Sequence, residues 1–352
     1  MEVPRRQHTH FLFWLTISVC VATGFFLFGH VSQAQAVTIS QLNLEINADP
    51  GETIEQVVQV YDDSKSGVTV FPWVYNFTQD PSREGSALIL TDPKDLKPDR
   101  AWIQYDQALV ALPADGTLVD FPYRIVVPED AEPGTHLISL VFRTRAPQDA
   151  EEEGTEVIIG ANVALDIFLK VSGVTIDTID ADFQVGHFAN TDPQTSLAER
   201  KKTFTPKTFF TKPPVDFLLE VVNQGNTHQK PDGNIKIIND LIGGEPEQYA
   251  INQDGKIVLP GTSRLYETPR FGQGFMFGKY RAQLTLLYGN PLKPLNKEVS
   301  FWIVPVLEIS IALGILLLLI VSVIFYIIWR RKKDREKEQR IREQVRQEMQ
   351  QQ

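Results

Sequence analysis

From Val37 to Trp302 the apolar residues recur at every second position. Glu55-Gln56-Val57-Val58-Gln59-Val60-Tyr61, Phe121-Pro122-Tyr123-Arg124-Ile125-Val126-Val127 and Leu137-Ile138-Ser139-Leu140-Val141-Phe142 are short runs rich in β-branched residues. Successive side chains of a strand point to opposite faces, so a period of two predicts half-buried strands and not helices. Turns punctuate the runs at Asp49-Pro50-Gly51, Glu132-Pro133-Gly134, Pro231-Asp232-Gly233 and Leu259-Pro260-Gly261, each pairing the fixed φ of proline with a glycine. Many short strands at this spacing predict an all-β fold of immunoglobulin-like sandwiches. A faint repeat, Gly134 to Phe142 (GTHLISLVF) against Gly278 to Leu286 (GKYRAQLTL), predicts two units of one plan, each with a late central strand that starts at a glycine. The boundary falls near Gly173, giving sandwiches over 37–173 and 174–303, with a strand Val157 to Val171 closing the first.

Two segments break the alternation. Ile309 to Trp329 is an uncharged apolar stretch, and about 20 such residues at about 1.5 Å each cross the hydrocarbon core of a bilayer. A single C-terminal transmembrane helix over 304–329 is therefore expected. Arg330, Arg331, Lys332 and Lys333 follow it and place that end in the cytoplasm. The rest of 330–352 is a basic helical tail, with Glu336–Arg340 and Glu338–Arg342 at ion-pair spacing and a thin stripe of Ile341, Val345 and Met349. It reads as a solvated extension or as a short association helix. At the other end, Arg5, Arg6, the apolar run Phe11 to Phe28 and Ala34-Gln35-Ala36 make 1–36 a signal peptide, or an uncleaved anchor. Either way the sandwiches lie outside the cell.

The formal charge of −10 and a pI near 5.2 disfavour nucleic acid as a partner, because an acidic ectodomain repels phosphate backbones. Cys20 is the single cysteine and sits within the signal region, so no disulfide can staple the sandwiches. Their cores must hold them.

Catalytic chemistry has little to stand on. His136, His187 and His228 are far apart, and no phosphate cradle or Gly-x-Ser-x-Gly elbow is present. The expectation is a non-enzymatic protein with no cofactor and no metal. Aromatic clusters are the candidate binding elements. Phe71, Trp73, Tyr75 and Phe77 share one strand face, which is either the sandwich core or an exposed platform for sugar rings. The long polar stretch Gly186 to Pro214 carries Phe204, Phe209 and Phe210 and reads as disordered or locally packed chain, or as a partner-binding loop. Phe271, Phe275 and Phe277 sit among glycines and form either a loop tip or core packing. Ala146 to Gly154 is an acidic hairpin tip.

The order of these features, with Ala48-Asp49-Pro50-Gly51-Glu52-Thr53, Leu112-Pro113-Ala114-Asp115-Gly116, Leu218 to Asn226 and Leu259-Pro260-Gly261-Thr262-Ser263, resembles the WxL-interacting protein family of bacterial surface proteins. That resemblance implies two sandwich-like domains, a membrane helix, peptidoglycan binding by the first domain and host or partner protein binding by the second. Ile138 and Ser139 stand where the family usually has paired glycines. The resulting expectation is a membrane-anchored adhesion or scaffold protein engaging wall glycan or a secreted surface protein. Its rivals are an assembly factor that offers a sheet edge to secreted proteins, recognisable by a long unpaired edge strand, and a sensor signalling through the tail.

Overall fold

The computed structural model describes residues 36–80, 85–144 and 162–350. The signal region, the acidic tip Ala146 to Gly154 and the first residues of the expected strand from Val157 lie outside the described residues. The chain forms two compact units, Met1–Thr78 with Ala87–Thr175 and Gln79–Ser86 with Ile176–Gln352.

The first unit is a β-sandwich. Its strands are β1 (Val37–Ile39), β2 (Asn43–Ala48), β3 (Thr53–Asp62), β4 (Val68–Gln79), β5 (Ala87–Leu90), β6 (Ile103–Gln104), β7 (Val110–Leu112), β8 (Val119–Val126), β9 (Gly134–Arg143) and β10 (Asn162–Val171). One sheet has the order β1-β3-β8-β6 and the other β2-β10-β9-β4-β5, with β7 on β4. Between them Phe121 meets Phe142 edge-on at 5.1 Å, among fully buried Ile125, Ile138, Leu140, Leu165, Ile167 and Leu169. Each such side chain contributes about 1.5–3 kcal/mol relative to exposure, and that burial replaces the absent disulfides.

The second unit repeats the plan. It comprises β11 (Ile179–Phe188), α1 (Leu197–Lys201), β12 (Phe204–Pro206), β13 (Phe209–Phe210), β14 (Asp216–Asn223), β15 (Asp232–Asn239), β16 (Glu247–Ile251), β17 (Ser263–Tyr266), β18 (Gly278–Tyr288) and β19 (Lys293–Ile303). Its sheets are β12-β11-β14-β17 and β13-β19-β18-β15-β16. The repeat read from sequence has its counterpart here: β9 and β18 occupy the same place, each between the strand that follows it and a central earlier strand. Both begin at a glycine with positive φ, 134° at Gly134 and 138° at Gly278, which a side chain would strain.

The chain then enters α2 (Val306–Gln350), one helix long and apolar enough to cross a membrane. It continues unbroken into the basic tail, as the helix-forming residues there require.

Of the readings open for Gly186 to Pro214, the structure has local packing. Ser196 caps α1 by accepting a hydrogen bond from the Glu199 N–H at 3.3 Å. Leu197, Ala198 and Phe204 pack on Phe188, Leu218 and Leu265. A polar segment holds together here because its few apolar residues cover an apolar sheet face.

Candidate functional site

The first strand of the chain changes sheets. β1 pairs antiparallel with the end of β3, Ile39 opposite Val60. Three residues later β2 pairs parallel with β10, Asn43 opposite Asp166. The polar interruption Ser40-Gln41 and the exposed Leu42 mark the crossing. By leaving early, this strand covers only the last part of the β3 edge. Among the described residues, Thr53 to Val58 have no strand partner on that side. The open length is about 20 Å at about 3.4 Å per residue, a full strand's worth.

The direction of the backbone groups follows from the neighbours. The Gln59 carbonyl accepts from the Ser40 N–H at 2.9 Å, and the Gln59 N–H donates to Ser40 Oγ at 3.2 Å. Gln59 therefore faces the open side, and alternation sends the N–H and C=O of Thr53, Glu55 and Val57 the same way. Pro122, which has no N–H, stands opposite Val57, as a pair without ladder bonds allows. Val57 is 52% exposed.

A floor lies behind this edge. Leu44 and Ile46 of β2 and Ile54 of β3 pack against the sandwich core yet are only half-buried. β2 is the edge strand of its sheet, and the position facing it, beside Thr53 to Val58, is held by no strand among the described residues. Backbone donors and acceptors in a row, above apolar side chains at alternate spacing, are what an incoming extended peptide needs. The second sandwich closes the equivalent side. Lys297 Nζ sits 2.8 Å from Asp180 Oδ1, and Lys293 Nζ donates to the Asp177 carbonyl at 3.0 Å, tying β19 to the chain around β11. Lysines along an edge also discourage strand addition.

The seven sequence-selected aromatics are not one site. Phe71, Trp73, Tyr75 and Phe77 share a face, but it is the outer face of the β4 sheet. The core cluster takes Val70 and Val74 from β4 instead. Trp73 and Tyr75 stack at 5.9 Å, with the Arg143 guanidinium 5.7 and 5.6 Å from the two rings and donating to the Tyr75 hydroxyl at 3.0 Å. Phe77 is buried against Phe168, edge-on at 5.4 Å. In the second unit Phe210 is core, Phe204 lies on Phe188 at 4.9 Å, and Phe209 is exposed. Sequence reasoning missed the β3 edge; the signal was the break at Ser40-Gln41 between two short apolar runs.

One buried polar cluster braces the first sandwich. Asn76 Nδ2 donates to Asp99 Oδ1 at 2.7 Å and to the Leu137 carbonyl at 3.2 Å, and Asn76 Oδ1 accepts the Lys97 N–H at 2.7 Å. His136 Nδ1 lies 2.8 Å from Asp99 Oδ2, and Nε2 lies 2.9 Å from the Glu132 carbonyl. Burial alone would raise the Asp99 carboxyl, but hydrogen bonds from His136 and Asn76 outweigh it and hold the carboxyl below its usual range. Burial would likewise lower His136, yet the bonds to Asp99 and Glu132 carry it above its usual value. With every group partnered, the cluster is structural. No group of three or more His, Cys, Asp or Glu converges on a metal position among the described residues.

No family model and no curated protein matches the sequence. Among solved structures the chain is similar to the class 5 fimbriae chaperone CfaA, at 13% identity over 75% of this chain and 98% of that one, with a TM-score of 0.37. It is similar to the chaperone DraB of E. coli, at 12% identity over 72% and 93% with a TM-score of 0.33. The SafB chaperone solved with the SafA pilin of Salmonella enterica gives 11% identity over 76% and 99%, with a TM-score of 0.34. The likeness is one of architecture alone.

Proposed function

We propose that this protein is a membrane-tethered, non-enzymatic binding protein that takes up an extended segment of a secreted or surface protein by strand addition to β3. The carrying observation is the open Thr53 to Val58 edge above Leu44, Ile46 and Ile54. Three outward residues offer about six backbone hydrogen bonds, each worth about 0.5–1.5 kcal/mol net, enough for a specific grip once alternate side chains cover the floor. α2 serves as the anchor, and the basic run after it supports an orientation with the sandwiches outside. An assembly or holding role for secreted partners suits such an edge better than adhesion to sugar. The Trp73 and Tyr75 rings are already engaged by each other and by Arg143.

The test exploits the direction of the edge. Glu55→Pro removes an outward N–H that makes no ladder bond, in extended backbone that proline tolerates, so the sandwich stays folded. Peptides of alternating apolar sequence, selected from a displayed library on the wild-type protein, should lose binding to Glu55→Pro. They should also protect the Glu55 and Val57 amides from hydrogen exchange. Binders that hold Glu55→Pro equally well, or saturable binding to isolated wall glycan and to no peptide, would overturn the reading.

A further inference from the structure

The end of the second sandwich from which α2 departs carries a cluster of exposed apolar loop residues. The registers fix which end this is. Gly278 of β18 stands opposite Ile303 of β19, and Phe209 of β13 stands beside Trp302. Ile303 is three residues before α2 begins at Val306. The loop after β15, which ends at Asn239 opposite Tyr280, and the loop before β18 both lie at this end. They present Leu241 at 53%, Ile242 at 66% and Phe275 at 71% exposure. Gly272 and Gly274, with φ of 89° and 66°, form the turn that holds Phe275 out. A groove of about 550 Å³ runs between the two loops, lined by Ile242, Phe275 and Met276 together with Glu247, Arg270 and Gln273. On the sheet face beside them, Trp302 and Phe209 are 40% and 46% exposed, and Lys279, opposite Trp302, is exposed as well.

The distance to a bilayer is short. Three extended residues from Ile303 to Val306 span at most about 10 Å, and one helical turn from there to the uncharged run at Ile309 adds about 5 Å. The loops after β15 and before β18 leave the sheet at this same end. Aromatic rings with a lysine among them are the composition of the headgroup zone, where rings sit at the interface and a lysine stem reaches outward. Of the acidic groups at this end, Asp240 pairs with Arg281 at 2.8 Å and Glu247 accepts from the Tyr249 hydroxyl at 2.5 Å, while Glu245 and Glu308 are exposed and must stay on the water side of the headgroups.

We infer that the helix-proximal end of the second sandwich is seated in the interfacial layer of the bilayer that α2 crosses, with Phe275, Leu241 and Ile242 inserted among the lipids. This rests on the anchor reading of α2, and the experiment separates the two. The full chain, with Cys20→Ser, is reconstituted into phosphatidylcholine vesicles carrying a spin-labelled lipid, and an environment-sensitive fluorophore is attached at one introduced cysteine. Leu318→Cys, in the middle of α2, reports the anchor. Phe275→Cys and Ile242→Cys report the seat. Leu292→Cys is the control, since Leu292 is 70% exposed at the far end of β19, about 35 Å of strand away. The expected result is loss of most emission at positions 275 and 242 with headgroup-level spin label and none at 292. Adding Phe275→Asp should restore emission at 242. Emission at 275 and 242 matching that at 292, with 318 quenched by chain-level label, overturns the seat while leaving the anchor. An unquenched 318 overturns both.

Discussion

Truncating Asn76 should show how much a single buried amide does for the first sandwich. The side chain is 1% exposed and makes three hydrogen bonds, to Asp99, to the Leu137 carbonyl and from the Lys97 N–H. Asn76→Ala removes all three and leaves a buried carboxylate one donor short and a backbone N–H and carbonyl without their partner. Each stranded buried group costs about 1–3 kcal/mol, and water reaching the half-buried Lys97 N–H reduces its share, so the sum is about 3–5 kcal/mol. In a unit of this size that lowers the melting point by about 10–20 °C. Urea denaturation and calorimetry of the protein read both quantities. Asn76→Asp sharpens the test. It sets a second carboxylate against Asp99, so its cost should be largest at neutral pH and shrink in acid as the pair shares a proton. A change below about 0.5 kcal/mol for Asn76→Ala would refute the view that this cluster is a brace, since only exposed substitutions cost so little.

Further outcomes follow from other sites. The Asp99–His136 pair stabilises within a pH window: the raised His136 contributes below its unfolded value of 6.5 and loses this as pH rises through its folded value. The lowered Asp99 contributes above 3.8 and loses this as pH falls through its folded value. Denaturation midpoints of the wild type against His136→Gln should therefore differ most between about pH 4 and 6.5. Gly233→Ala would put a methyl 1.9 Å from the Thr285 carbonyl oxygen, a backbone atom that cannot swing away, and should cost more than about 3 kcal/mol in thermal denaturation. By contrast Lys297→Ala removes an ion pair whose side chains are 37% and 53% exposed and should cost under about 0.5 kcal/mol.

Much of the strand content was legible because alternation and turn residues are local. The repeat was legible too, since Gly134 and Gly278 need a positive φ that only glycine accepts without strain. Which face of a strand is core was not. Phe71, Trp73, Tyr75 and Phe77 do share a face, but period two cannot say whether a sheet's second layer lies above or below it. Val70 and Val74 won the inner side because β9 and β10 present Leu140, Phe142, Leu165 and Ile167 there. The β3 edge was hidden for a deeper reason. An unpaired edge is a property of what a neighbouring strand fails to cover, and that depends on where β1 leaves its sheet. The Gly186 to Pro214 stretch stayed open between disorder, local packing and a binding loop because its composition is polar, while its few apolar residues are placed to meet Phe188, Leu218 and Leu265.

The parallel pairing of β2 with β10 carries a consequence in time. Asn43 meets Asp166 only after more than a hundred further residues have been made. At about 5–20 residues per second, synthesis needs about 6–25 s to supply the missing partner. For that interval β2 lacks its only strand partner among the described residues, and Leu44 and Ile46 have not yet met their core. The nascent chain therefore passes through a stage in which an early strand with apolar residues on one face has no partner, until β10 is made and closes it.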